Sequence, residues 1–222
     1  PACISKTVKV DVPIVCAIKP VLRDLNKLVT DKRRQIKPWL KQIKTWKEKH
    51  PLKCRNDELL HQDYVISQVG ELTKHKAVVV TGVGQHQMWT AQWYKFTAPR
   101  SMITSGGLGT MGYGLPAAIG AQLGRPKETV VCIDGDGSFQ MTLTELTTAR
   151  HYNAPVKVIL MDNGHHGMVR QWQELFYNRR YSASQLGPSN PDFTQIAEAF
   201  GIFAVKISEK KDLHSALKKV LA

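Results

Sequence analysis

Two short turns carry the residues best suited to chemistry. Gly135-Asp136-Gly137 sets a carboxylate between glycines, and Asp162-Asn163-Gly164 sets a carboxamide in an equally tight turn further along. Asp136 and Asn163 offer hard oxygen ligands of the kind a small divalent cation takes. Glycine amides, and the N-terminus of a helix expected after Ser138, suit a phosphate group. A third turn, Gly82 to Gln87, adds further backbone donors. Taken alone, Gly135-Asp136-Gly137 is equally a tight turn with an acidic helix cap, and Asn163-Gly164 is more often only a turn. The pair says more than either member, because the sequence between them reads as one whole βαβ unit. Together the three turns describe a magnesium-diphosphate site.

The elements that must position these turns follow from the apolar pattern. Ala77 to Thr81, Thr129 to Ile133 and Val156 to Met161 are short apolar runs of the kind that form buried strands, and Phe203 to Ile207 reads as one more. Helices are predicted on the apolar face from Leu59 to Leu72, over Gln85 to Tyr94, Thr110 to Leu123 and Met141 to Tyr152, from Pro191 to Phe200 with Gly201 as its stop, and over Asp212 to Leu221. This alternation predicts an α/β fold, a parallel sheet with helices on both faces. In such sheets ligands bind outside the carboxyl ends of the strands, and right-handed crossovers bring consecutive strand ends to one edge. All three polar turns fall there.

Upstream, Val8 to Val15 alternates around Pro13 as an edge strand would, and Lys19 to Val29 has helical periodicity. Residues 1–30 read as the end of some other domain, 31–57 as a basic helical linker and 58–222 as the diphosphate-binding domain. In the linker Ile36, Trp39, Leu40, Ile43 and Trp46 recur at helical spacing between lysines, which is the pattern of a solvated amphipathic face.

The chain has 222 residues and a net charge of +13, which steers anions toward it without choosing among them. No zinc-finger spacing, arginine-glycine repeat or RNA-binding aromatic signature supports a nucleic-acid partner. No apolar run is long enough to span a membrane, and no signal-peptide pattern opens the chain. Cys3, Cys16, Cys54 and Cys132 are scattered without a CxxC pair, which fits a reduced intracellular compartment. The adjacent His165 and His166 lack the further ligands a closed zinc site needs. The chain opens on Pro1 without a methionine, as a fragment or processed product does.

The sequence GDGSFQ through MDN resembles the thiamine diphosphate signature. Its flanks are more specific. TGVGQHQMW at Thr81 to Trp89, SGGLGTMGYGLPAAIGA at Ser105 to Ala121 and GMVRQWQELFYNRRYS at Gly167 to Ser182 resemble the acetohydroxyacid synthase (acetolactate synthase) catalytic subunit. The resemblance covers nearly the whole chain and implies the C-terminal portion of a longer enzyme. It implies that Asp136, the Asn163 side chain and the His165 backbone carbonyl ligate Mg2+. Val83, Gly84, Gln85, His86, Gly137 and Ser138 would then meet the diphosphate. Met111 would prop thiamine in its bent form, Gly109 would accept from the 4'-amino group, and Met168 and Trp172 would line the substrate pocket. For Met168 and Trp172 core packing is the competing reading.

The activity so implied is decarboxylation of pyruvate and condensation of the product with a second 2-ketoacid, in branched-chain amino-acid biosynthesis. The enzyme is expected in bacterial cytoplasm, or in a plastid or mitochondrion, as a homodimer with a possible regulatory subunit. The family's FAD would be held mainly by a central domain, and Cys16-Ala17 stands where a glycine-aspartate pair is usual. Asp162 stands where the family usually has a first asparagine. The family's catalytic glutamate belongs to an N-terminal domain, so residues 1–222 are expected to be inactive alone. Two alternatives are another thiamine diphosphate carboligase or decarboxylase, such as glyoxylate carboligase, and a decayed noncatalytic basic module.

Overall fold

Val78 and Val80 of the first strand face one layer of helices and Val79 the other, so a strand without polar residues between its ends is what burial on both sides demands. The structure, a computed structural model, describes residues 2–29, 36–55 and 57–222. It divides into two compact units, Pro1–Lys53 and Cys54–Ala222. Of the 31–57 linker range, residues 31–35 and 56 lie outside the described residues.

The first unit holds α1 (Ile18–Leu28) and α2 (Lys37–Lys49), and neither helix buries a residue. In α2 the Trp39 and Trp46 rings meet edge to face with centroids 5.4 Å apart, as two turns of helical spacing allow. The strand predicted over Val8 to Val15 is not formed. Alternation makes a strand only when a neighbour accepts its backbone hydrogen bonds, and no described strand of this unit is there to do so.

The second unit runs α3 (Gln62–Leu72), β1 (Val78–Thr81), α4 (Gln85–Trp93), β2 (Met102–Thr104), α5 (Gly114–Gly124), β3 (Val130–Gly135), α6 (Asp136–Gln140), α7 (Leu146–His151), β4 (Lys157–Met161), α8 (Gly167–Phe176), α9 (Phe193–Ala199) and α10 (Leu213–Leu221). Its sheet is wholly parallel, in the order β2-β1-β3-β4. On one face Val79, Val131, Ile133, Ile159 and Met161 pack with Ile66 and Val69 of α3 and Leu213 and Leu217 of α10. On the other, Val78, Val80, Val130 and Cys132 meet Ala118 of α5, and Leu115 and Ile119 extend that layer to Phe139, Leu146 and Ala149. The expected α/β fold, a parallel sheet with helices on both faces, is the one observed.

Three predicted elements change. The helix expected over Met141 to Tyr152 is split, because Thr142 leaves helical geometry (φ −136°) and its hydroxyl donates to the Gly112 carbonyl at 2.9 Å. The helix expected from Thr110 begins only at Gly114, since Gly112 sits at φ +78°, a left-handed conformation that stops a right-handed helix. Phe203 to Ile207 forms no ladder. A groove of about 480 Å³, lined by Val158 to Met161 on one side and Val205 to Ile207 on the other, separates it from β4.

Asp192 caps α9, its Oδ1 accepting from the Thr194 amide at 2.9 Å, the Thr194 hydroxyl at 2.6 Å and the Gln195 amide at 3.3 Å. The Thr194 hydroxyl, then the two amides, hold the carboxyl below the ordinary aspartate range. A carboxyl lowered on folding stabilises the fold above its unfolded pKa and loses that contribution as pH falls through its folded pKa. Asp192→Asn keeps an acceptor and loses the charge. Its melting temperature is expected to lie below that of the parent at neutral pH, with the gap closing below the ordinary aspartate range. Melts at a series of pH values check this, and a gap constant with pH contradicts it.

Candidate functional site

The chain order fixes where a site can open. β1 is followed by β2 on one side and lies beside β3 on the other, so the direction of strand addition reverses between β1 and β3. Reversal leaves a crevice outside the carboxyl ends of the two strands, where open α/β sheets take ligands. The β1 ladder continues to its end, with the Gly82 amide on the Ile133 carbonyl at 3.0 Å, and this sets the loop after β1 directly beside the loop after β3.

A cleft at this edge is lined by Val83, Gly84, Gln85 and His86 after β1, by Met111, by Asp136, Gly137 and Ser138 after β3, and by Asn163 and His165 after β4. Ten of the predicted residues are thus brought together from four segments. Gly109, Met168 and Trp172 lie outside that lining. Gly109 comes close all the same, since a Cβ there would be 3.9 Å from Val83 Cγ1. Met168 sits in the first turn of α8, a helix not predicted from the sequence, and Trp172 one turn further on is 54% exposed, tilted against Phe176.

Hydrogen bonds lock the loops together. The Ser138 hydroxyl accepts the Gly112 amide at 3.0 Å while Thr142 donates to the Gly112 carbonyl, so the residue after Met111 is held through both its amide and its carbonyl. Gln87 donates to the Thr104 hydroxyl at 2.7 Å, tying the first turn of α4 to the end of β2. Gln85 of α4 donates to Gln171 of α8 at 2.9 Å. Arg170 donates to His165 Nε2, so Nδ1 carries the proton and donates to the Asn163 carbonyl at 2.9 Å.

The donor atoms fit a hard cation with a phosphate. Asp136 is 1% exposed and supplies a carboxylate, Asn163 a carboxamide oxygen, and His165 a backbone carbonyl to which no described donor bonds. All are oxygens, which is the set magnesium takes together with phosphate and water. Burial, the largest cause, raises the Asp136 carboxyl above its ordinary range, and the nearby Asp162 adds to this against opposing hydrogen bonds from Asn190 and the Gly137 amide. A cation would offset that burial cost. The glycines leave the room required, since a Cβ on Gly137 would stand 2.7 Å from the His166 ring and one on Gly167 2.2 Å from Gln85 Oε1.

Behind the cleft lies a charged residue that the motifs did not single out. Asp134 is fully buried on the side of β3 shared with Cys132, where the strand pattern calls for an apolar residue. Its Oδ1 accepts the Gly135 amide at 2.9 Å and stands 3.4 Å from His86 Nε2. Among the described residues its Oδ2 and His86 Nε2 have no hydrogen-bond partner. A charge interrupting an apolar strand is the signal that could have found it. Gln62 of α3 also lines the cleft, and no motif pointed to it.

Residues 82–222 match the family described as thiamine pyrophosphate enzyme, C-terminal TPP binding domain. The chain belongs to this family. It is 44% identical over 229 residues to acetolactate synthase 1, chloroplastic, of Nicotiana tabacum, covering 98% of this chain and 34% of that protein. It is likewise 44% identical over 227 residues to the acetolactate synthase isozyme 3 large subunit of Escherichia coli (strain K12), covering 100% and 39%. With the mitochondrial acetolactate synthase of Schizosaccharomyces pombe the identity is 47% over 190 residues, 83% and 28% of the two chains. The resemblance to acetolactate synthase catalytic subunits is borne out. The chain spans 28% to 39% of the length of these relatives. Among the described residues no helix is long and apolar enough to cross a membrane.

The packing around Asp134 yields a paired test on α5. A Cβ on Gly114 would stand 2.4 Å from Asp134 Oδ2 and 2.8 Å from the Gly82 amide nitrogen, whereas one on Gly120 meets nothing within 4 Å. Gly114→Ala is expected to destabilise by about 1–3 kcal/mol through overpacking. Gly120→Ala should stabilise by roughly 0.5–1 kcal/mol through helix propensity. Denaturant unfolding of both variants decides, and equal effects would refute the close packing.

Proposed function

We propose that this chain is the magnesium- and thiamine diphosphate-binding portion of an acetolactate synthase. The observation that carries the reading is the switch-point cleft. It collects the oxygen donors Asp136, Asn163 and the His165 carbonyl beside the amide-bearing loop Val83 to His86. On this reading Asp136, Asn163 and His165 ligate Mg2+, and Val83 to His86 with Gly137 and Ser138 hold the diphosphate. Met111, braced through Gly112, supports the thiamine, with Gly109 as the carbonyl facing its amino group. Met168 and Trp172 stand on the substrate side.

Thiamine diphosphate supplies the electron sink that lets pyruvate lose carbon dioxide and its remaining two-carbon unit join a second 2-ketoacid. The residues of this chain bind and orient it, with the buried Asp136 carboxylate as the fixed point of the metal site. On this reading the carboxylate that exchanges a proton with the aminopyrimidine comes from elsewhere in the enzyme, and no glutamate lines the switch-point cleft among the described residues. The full protein is then a homodimer acting in branched-chain amino-acid biosynthesis, with a regulatory subunit as a further partner. Its FAD is held chiefly outside residues 1–222.

Calorimetry tests the reading. The chain is expected to bind thiamine diphosphate only with Mg2+ present, and Asp136→Ala to weaken that binding by at least about tenfold. Equal binding by parent and variant would remove the metal site. Residues 1–222 alone, given pyruvate, magnesium, thiamine diphosphate and FAD, are expected to form no acetolactate, and steady turnover would show that they carry the missing proton carrier.

A further inference from the structure

Two carboxylates stand at the ends of neighbouring strands, and one amide joins them. Asn190 Nδ2 donates to Asp136 Oδ2 at 2.8 Å and to Asp162 Oδ1 at 2.9 Å. Asn190 Oδ1 accepts from Gln140 at 3.0 Å, and the same Gln140 nitrogen donates to the Asp136 backbone carbonyl at 3.3 Å. Ionised carboxylates only accept, so the amide orientation is fixed by its partners. Asn190 itself is presented by a braced turn, because the Leu186 and Gly187 amides both bond the Gly164 carbonyl, at 2.7 and 2.8 Å, in the loop that follows Asn163.

This arrangement joins Asp136 to Asp162, whose carboxylate stands nearby. A second carboxylate beside Asp136 repels it. Here a neutral amide donates one hydrogen to each carboxylate and offsets part of the repulsion that still reaches Asp136 from Asp162. One oxygen of Asp136 is thereby held in place, and the carboxylate keeps a defined orientation toward the cleft.

We propose that Asn190 is a positioning residue of the cation site, which fixes Asp136 through one oxygen and couples it to Asp162 at the end of the neighbouring strand. The inference rests on the reading of Asp136 as a cation ligand. Asp162 contributes its charge without taking a ligand position, and Gln140 contributes by orienting the amide. Removing a residue that orients a ligand typically lowers metal affinity tenfold to a hundredfold.

The test is Mn2+ binding, read by electron paramagnetic resonance on the full-length protein with thiamine diphosphate. Asn190→Ala is expected to weaken Mn2+ binding about tenfold. Adding Asp162→Asn to that variant is expected to restore part of the loss, since the new carboxamide supplies a donor to Asp136 and ends the repulsion. Gln140→Ala should show a smaller loss in the same direction, and it serves if Asn190→Ala fails to fold. Wild-type affinity in both Asn190→Ala and Gln140→Ala, with binding abolished in Asp136→Asn, overturns the inference and leaves the site reading standing. Wild-type affinity in Asp136→Asn as well overturns the site reading, and the inference with it. Weakened binding with a lower melting temperature of the metal-free protein, and no rescue by Asp162→Asn, makes Asn190 a structural brace and also overturns it.

Discussion

The register of β1 against β3 is the constraint on which the candidate site depends. Val78 to Thr81 pairs residue for residue with Val130 to Ile133, and the Gly82 amide adds a last rung on the Ile133 carbonyl. A slip of β1 by one residue would turn Val79 out of the α3 and α10 layer and carry Val80 away from Ala118. Burial on both faces forbids that slip. The same register therefore sets the spacing between the loop that carries His86 and the loop that carries Asp136.

What was legible in the sequence was what depends on local pattern. Val78 to Thr81, Val130 to Gly135 and Lys157 to Met161 could be read because they are apolar runs bounded by turns, and Gln85–Trp93 and Leu213–Leu221 because their neighbours in sequence end them. What was not legible depends on partners distant in the chain. β2 is only three residues long and exists as a rung on β1. Val8 to Val15 and Phe203 to Ile207 carry strand-like sequence, and pairing decided against them. The helix carrying Trp172 follows two adjacent histidines, and its apolar residues Val169, Trp172, Leu175 and Phe176 are exposed rather than packed in a core. Asn190 meets Asp136 across 54 positions of sequence, and no spacing rule reaches that far.

The charge distribution gives the site its character. The chain carries a net +13, yet no lysine or arginine lines the switch-point cleft among the described residues. Its polar lining is amides, hydroxyls, imidazoles and one buried aspartate. A polyanion in such a place would be held by oriented backbone dipoles and a shared cation rather than by point charges on flexible stems. Orientation is then fixed by the fold and not by side chains that must find their conformations on binding.

Asp134 extends this to sequence change. Its carboxylate occupies space that Gly82 and Gly114 leave open, since a Cβ on either would stand 1.7 or 2.4 Å from one of its oxygens. The three positions cannot vary independently. A smaller residue at 134 would relieve an alanine at 82 of its closest contact, so two substitutions costly one at a time become more tolerable together, whereas an alanine at 114 would still meet the Gly82 amide nitrogen at 2.8 Å. Divergence at the back of the site is therefore expected to proceed in linked steps, with positions 134 and 82 changing together.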